Sequence, residues 1–344
     1  MDSGSGGESA IRGADVGDVV SPDNFFPQGC SPRRASYAVA DDPEKLAHDG
    51  YLGFDMRRFA IALFALAACL SQAQERVRDV IYLKQGGVAF TFDVFKPLKP
   101  SGKAIVWLVS GGWFSSHESI NPDLAKPLND AGFTVFEVVH GSQPKYVIPE
   151  IIGELEHALR YIHANAKTFG IDPNAIGVSG MSAGGHLSLM LGGLGDNGKP
   201  DAKDPVDQAS DKVAAVVAFM PPTDFLNWGA EGAVPFKIPV MGIFMPAFGV
   251  TAATPEDKLK QLGHDLSPIN NINSAFPPTL IVHGDKDPLV PLQQAQKMDA
   301  ALDAAKIEHK LLVVPGGGHD GKTLLGGLQQ MIEWFQTHLK VSSG

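Results

Sequence analysis

Cysteine is almost absent from this 344-residue chain. Cys30 and Cys69 are the two present, which excludes a disulfide framework and leaves any metal site to histidines and carboxylates. The eleven histidines include no HExxH or comparable ligand spacing, so neither a metal centre nor a cofactor is expected. Lys and Arg number 28 against 38 Asp and Glu, giving a formal net charge of −10, and the cations do not cluster. A nucleic-acid partner is therefore not expected, since its phosphates would call for grouped Lys and Arg. Long apolar runs are missing too. The run from Phe59 to Leu70 has 12 residues, short of the roughly 20 that a membrane-spanning helix needs. What remains is 44% hydrophobic and 19% charged, the composition of a soluble globular chain with a sizeable core.

The first 73 residues read differently from the rest. Residues 1–55 are rich in Gly, Ser, Asp and Pro and keep no sustained period, so they bury too little apolar surface to offset their ordering entropy. They are expected to be a disordered or non-native extension. "MRRFAIALFALAACLSQAQE" follows from Met56: two arginines, an apolar stretch, then small residues through Ala73. That is the layout of a secretory signal peptide spanning 56–73. Such signals act at an N-terminus, so the expected biological start is Met56, with residues 1–55 arising from a mistaken start. Leu66-Ala67-Ala68-Cys69 also has the look of a lipobox, in which Cys69 would carry a lipid anchor. Cleavage after Ala73 is the preferred cut, and the expected location is secreted or periplasmic.

Residues 74–344 are expected to form one domain. "VRDVIYL" and "VAFTFDVFKP" read as two strands joined at Gly86-Gly87. "AIVWLVS", "FTVFEVVH", "AIGVSG", "VAAVVAFMP", "PTLIVHG" and "HKLLVVPG" are further strand candidates, most of them unbroken apolar runs. Helical periods separate them, as in 148–170 with apolar residues at 151, 152, 155, 158, 159 and 162. Alternation of this kind predicts an α/β fold with a mostly parallel central sheet and helices on both faces. Residues 222–270 break the rhythm with scattered aromatics, methionines, prolines and glycines. They predict a small insertion over the active site, with Phe225, Trp228, Phe244, Met245 and Phe248, together with Phe114, lining an apolar substrate pocket.

Ligands of open α/β sheets bind beyond the carboxyl ends of the strands, so the polar residues found there carry the functional reading. "GVSGMSAGG" places Ser182 in a G-x-S-x-G pattern directly after a strand. In that pattern a sharp strand-to-helix turn thrusts the serine above the sheet, and small neighbours are needed because the two backbones come close. The pattern recurs by chance in a chain with 38 glycines, so its surroundings matter more. "AIVWLVS" leads into Ser110-Gly111-Gly112-Trp113-Phe114, "PTLIVHG" into Asp285-Lys286-Asp287, and "HKLLVVPG" into Gly317-Gly318-His319. Acyl transfer needs these groups: a hydroxyl, an imidazole to take its proton, a carboxylate to orient the imidazole, and backbone N–H groups for the oxyanion.

Asp287 rather than Asp285 is expected as the acid, because it lies further out on the turn and Pro288 restricts its backbone. Asp285 is expected to cap that turn. Asp320 and Asp224 are outside candidates for the same role. His186, His140, His117 and His283 are expected to be packing or pocket residues.

On "SGGWFSS", "GVSGMSAGGHLS", "HGDKDPLVP" and "PGGGH", residues 77–338 resemble the α/β-hydrolase fold serine esterases, in particular the branch of hormone-sensitive lipase, acetyl-xylan esterases and feruloyl esterases. The resemblance implies Ser182, Asp287 and His319 as catalytic residues and the backbone N–H groups of Gly112, Trp113 and Ala183 as the oxyanion hole. It implies hydrolysis of small to medium carboxylic esters, acetyl or feruloyl groups on polysaccharide among them, through an acyl-enzyme. Two departures stand out. Ser110 replaces the usual first histidine of His-Gly-Gly, and His140-Gly141 stands where a Tyr-Arg pair is common. The alternatives are a peptidase of the prolyl-oligopeptidase type, which shares fold and triad, and a non-catalytic binding protein on the same fold.

Overall fold

A computed structural model describes residues 75–342. The extension at 1–55, the export signal at 56–73 and the lipobox at Cys69 lie outside the described residues. Among the described residues no helix is long and apolar enough to cross a membrane.

Eight strands form one sheet in the order β1-β2-β4-β3-β5-β6-β7-β8. They run Glu75–Gln85, Val88–Lys96, Ala104–Val109, Thr134–Val139, Ile176–Met181, Ala215–Phe219, Thr279–Gly284 and His309–Val314 in chain order. β1 pairs antiparallel with β2, and β2 antiparallel with β4. All other pairings are parallel. The β1–β2 hairpin turns on Gly86 and Gly87 at φ +58° and +77°, a two-residue turn that a side chain would strain. Every residue of β3, β4, β6 and β7 is buried, which explains the unbroken apolar sequences of β3 and β6 and the mostly apolar ones of β4 and β7: a strand covered on both faces has no solvent side for polar residues.

Among the described residues seven helices follow in chain order: α1 Pro122–Asp130, α2 Ile148–Ala164, α3 Ala166–Phe169, α4 Ala183–Leu194, α5 Glu256–Asp265, α6 Leu292–Ala304 and α7 Gly321–His338. Leu128 of α1 and Met331 and Phe335 of α7 pack on one face of the sheet. Ile151, Leu155 and Leu159 of α2, Leu187 and Met190 of α4, and Met298 of α6 pack on the other. Gly177 of β5 leaves the room that the Phe335 ring occupies. The chain leaves β3 toward β4 and leaves β5 toward β6. The order therefore reverses between the neighbours β3 and β5, and their carboxyl ends open the crevice that such a reversal creates. The segment expected as an insertion lies between β6 and β7 and comprises 3₁₀ turns at Pro235–Lys237, Pro239–Phe248 and Pro268–Asn271 around α5.

One buried acid stands out in the sheet. Glu137 of β4 accepts a 2.6 Å hydrogen bond from the Asn121 N–H, and its other carboxyl oxygen, Oε1, is buried without a partner. Burial pushes its pKa up to about 8, against the Asn121 hydrogen bond and the Arg76 charge, with Asp93 adding to the rise. A carboxyl raised in the folded state favours folding below its ordinary pKa of 4.5, and that contribution is lost as the pH climbs toward 8. Glu137→Gln, which mimics the protonated acid, is expected to remove a loss of up to about 1.4 kcal/mol per pH unit across this window. In thermal melts the variant should match the wild type near pH 5 and exceed it at pH 8; an equal pH dependence for both proteins would refute the assignment.

Candidate active site

The turn from β5 into α4 puts Ser182 at φ +55°, ψ −117°, a conformation that costs a residue with a Cβ on the order of 1–3 kcal/mol. The flanking glycines make it sterically attainable. A Cβ on Gly180 would lie 2.5 Å from the Gly184 carbonyl carbon, one on Gly184 would lie 2.9 Å from the Leu108 carbonyl oxygen, and one on Gly185 would lie 2.8 Å from the Phe219 oxygen. The elbow is tied to its neighbours by the Ser182 N–H, which donates to the Phe219 carbonyl at 2.8 Å, and by the His186 N–H, which donates to the Ser182 carbonyl at 2.9 Å.

Ser182 Oγ lies 2.8 Å from His319 Nε2, and His319 Nδ1 lies 2.7 Å from Asp287 Oδ2. A carboxylate only accepts, so Nδ1 carries the ring proton and Nε2 is left to accept from the serine hydroxyl. The other oxygen of Asp287 accepts from the Leu289 and Val290 N–H groups, each at 2.9 Å. Burial works against ionisation of Asp287, but hydrogen bonds from His283 and His319, the charge of His319 and the Val290 N–H outweigh it and hold the carboxyl well below the usual range. His283 is fully buried. Its Nε2 donates to the Val290 carbonyl at 2.9 Å and lies 3.4 Å from Asp287 Oδ2. It is thus a second imidazole against the same carboxylate, a contact that its reading as a packing residue did not anticipate.

The loops that carry the acid and the base are stitched together. Lys286 N–H donates to the Gly317 carbonyl at 2.9 Å, and Asp285 Oδ1 accepts from the Gly316 N–H at 2.7 Å. Asp285 is therefore engaged across the β7–β8 loops, away from His319. Asp320 caps α7 through the Lys322 and Thr323 N–H groups, and Asp224 is paired with Lys297. Neither contacts the imidazole of His319.

Beyond β3, Gly111 and Phe114 exchange both backbone hydrogen bonds at 2.9 Å, closing a two-residue turn on Gly112 at φ +56° and Trp113 at φ +62°. This is the pattern of a type I′ turn. Its carbonyls are held by a residue that the motifs did not single out, the buried Gln143. Gln143 Nε2 donates to the Gly112 carbonyl at 2.6 Å, and the Gln143 N–H donates to that of Trp113 at 3.2 Å. Among the described residues none accepts from the N–H groups of Gly112, Trp113 or Ala183. Ala183 is also the first residue of α4, whose dipole presents positive charge at that end. The loop and the helix start touch, because a Cβ on Gly184 would also meet the Ser110 carbonyl oxygen at 3.5 Å.

The residues expected to line a substrate pocket fall into two groups. Phe225, Trp228 and Phe248 are buried and pack as one aromatic cluster on Trp113. Ring centroids lie 6.2 Å apart for Trp113–Phe225, 5.2 Å for Trp113–Phe248 and 6.2 Å for Phe225–Trp228. Phe244 and Met245 are half-buried, with the Phe244 ring 6.0 Å from that of Trp113. Phe114 is 50% exposed. His140 is buried with Nδ1 donating to the Gly141 carbonyl at 2.7 Å, and His117 sits beside Asp79 at 3.4 Å.

Comparison with known proteins places this geometry. The family model described as BD-FAE matches residues 92–302, more than half of the chain. The chain belongs to the BD-FAE family. It is similar to the esterase LipC of Mycobacterium tuberculosis, 28% identical over 233 residues, 67% of this chain and 55% of that one. It is 34% identical over 140 residues to an acetylxylan esterase of Xylanibacter ruminicola, covering 39% of this chain and 27% of that one. The chain spans about half, or less, of the length of such curated relatives. Among solved structures it resembles a truncated carbohydrate esterase from gut microbiota, with a TM-score of 0.65 and 24% identity over 77% of this chain and 96% of that one. It also resembles a thermophilic esterase of Thermogutta terrifontis, with a TM-score of 0.60 and 20% identity over 79% and 97%. These neighbours establish the α/β-hydrolase fold of this BD-FAE family member.

The two aspartates of "HGDKD" separate cleanly in this geometry. Asp287→Asn is expected to lower kcat about 10³–10⁴-fold, because the amide favours the wrong tautomer of His319. Asp285→Asn is expected to lower stability by about 1 kcal/mol with turnover retained. Steady-state kinetics and melts on both variants decide the matter, and reversed outcomes would move the acid to Asp285.

Proposed function

We propose that this protein is an exported serine carboxylesterase that hydrolyses small to medium esters through an acyl-enzyme, with acetyl or feruloyl esters of polysaccharide as the substrate class. The observation that carries the reading is the hydrogen-bonded chain Ser182–His319–Asp287 at a strained elbow, together with three backbone N–H groups that find no acceptor among the described residues. Ser182 Oγ attacks the ester carbonyl carbon while His319 Nε2 takes the hydroxyl proton. The carbonyl oxygen gains the negative charge and is received by the N–H groups of Gly112 or Trp113 and of Ala183. The imidazolium, stabilised by Asp287, then passes the proton to the leaving alkoxide, and the alcohol departs. Water repeats the sequence on the acyl-serine, His319 acting as base and then as acid, and the carboxylic acid is released.

The names of the related proteins, esterases and an acetylxylan esterase, support the bond type. The signal-like stretch 56–73 supports export. The half-exposed Phe114 in the turn beyond β3, and the partly exposed Phe244 and Met245 in the segment between β6 and β7, supply apolar surface for an acyl or aryl group.

Ser182→Ala is expected to lower ester hydrolysis roughly 10⁴-fold or more without unfolding the protein, and an organophosphonate should label Ser182 alone. Label on another residue would overturn the assignment. A series of p-nitrophenyl esters should be turned over where a dipeptide anilide is not; the opposite preference would make the protein a peptidase. A chain beginning at Gln74 should fold and match the full chain in activity, and a large fall in its melting temperature would show that the preceding residues are structural.

A further inference from the structure

Trp113 is the least expected residue in the turn beyond β3. It holds φ +62°, a region that a bulky side chain adopts only when its surroundings impose it, and it is 2% exposed. Its carbonyl and that of Gly112 are held by Gln143 on one side. On the other side the indole Nε1–H donates to His186 Nδ1 at 3.3 Å, with the rings edge-on at 5.5 Å. His186 Nε2–H in turn donates to the Leu266 carbonyl at 2.8 Å, directly after α5 in the segment between β6 and β7.

His186 sits one helical turn beyond Ser182 on α4, and its own N–H donates to the Ser182 carbonyl. Burial holds its pKa down to about 4, against the hydrogen bond to the Leu266 carbonyl, so the ring is neutral. A neutral imidazole has one donor and one acceptor, and both are used here. One fully buried side chain therefore joins three elements that meet at the elbow: the serine helix, the left-handed turn and the segment that covers them.

We infer that His186 is a positioning residue for ester hydrolysis: by tying the Trp113 indole to the Leu266 carbonyl it sets the direction of the N–H groups that receive the oxyanion. The inference rests on the reading of Ser182, His319 and Asp287 given above. A side chain of similar volume without the two nitrogens would leave the indole N–H and the Leu266 carbonyl unpaired, and the turn would lose its restraint on that side. Substrate binding does not yet place negative charge on the carbonyl oxygen, so the loss falls on kcat and not on KM.

The test compares His186→Phe, His186→Gln and Trp113→Phe in the full chain. In the glutamine variant the amide oxygen and nitrogen can replace the acceptor and the donor of the ring. His186→Phe is expected to lower kcat roughly 10–100-fold, within the range for loss of one oxyanion donor, with KM changed less than about threefold. The affinity for a trifluoromethyl ketone, whose serine adduct carries an oxyanion, should fall in parallel with kcat. His186→Gln should recover most of the rate, and Trp113→Phe combined with His186→Phe should cost no more than His186→Phe alone, since both break the same bond.

A folded His186→Phe variant with kcat within twofold of the wild type would overturn the inference, as would an unchanged ketone affinity. If the phenylalanine variant does not fold, Trp113→Phe, which removes the indole N–H from the same bond, decides the matter by the same kcat and ketone readings. Phosphonate labelling of the wild type separates the two levels. Label on Ser182 with unaffected His186 variants defeats the positioning role alone, whereas label elsewhere defeats the reading on which it rests.

Discussion

The backbone conformation of Ser182 is the constraint on which the rest of the site depends. A positive φ at a residue with a Cβ is unfavourable by itself, and it persists because the chain on either side has no freedom to relax it. A side chain on Gly180 would run into the Gly184 backbone, and one on Gly184 into the Leu108 carbonyl. The Ser182 N–H is fixed to β6 through Phe219, and its carbonyl is fixed to α4 through His186. The strain is a property of the packed sheet, since β5 and α4 alone could relax into an ordinary strand and helix. What it achieves is direction: the hydroxyl meets His319 from the loop after β8, which Asp287 from the loop after β7 holds in turn.

The electrostatic design follows from the same placement. Asp287 is desolvated, which would neutralise an isolated carboxyl, yet two backbone N–H groups and two imidazoles face it. The negative charge is thereby held in a dry setting where it acts strongly on His319. His283, which sequence reasoning leaves among packing residues, belongs to this arrangement. Glu137 shows the contrasting case in the same sheet. It is buried with one oxygen unpartnered, and its pKa rises.

Much of this was legible in the chain itself, and the reason is periodicity. Unbroken apolar runs such as "AIVWLV" and "AVVAF" arise only where a strand is covered twice, and the helical spacing of 148–164 is equally local. Asking which polar residues end those strands brings Ser182, Asp287 and His319 within hydrogen-bond reach of one another, and chain position separates Asp287 from Asp285. What escaped is what only tertiary contact decides. Nothing in "HGSQP" marks Gln143 as the clamp on the Gly112 carbonyl, and nothing around His186 marks its link from Trp113 to Leu266. The aromatics of 222–270 have no period. Their composition indicates apolar surface, but not that Phe225, Trp228 and Phe248 spend it on Trp113 while Phe244 and Met245 stay partly open.

The contact between Phe244 and Gly112 joins the covering segment to the turn beyond β3. A single methyl group on Gly112 would lie 2.5 Å from Phe244 Cε1, so the covering segment rests directly on the turn whose N–H groups are proposed to receive the oxyanion. A lineage that reshapes this segment to admit a bulkier acyl group changes the pressure on that turn in the same step. On the function proposed above, a change in substrate range at this segment would also be a change in rate.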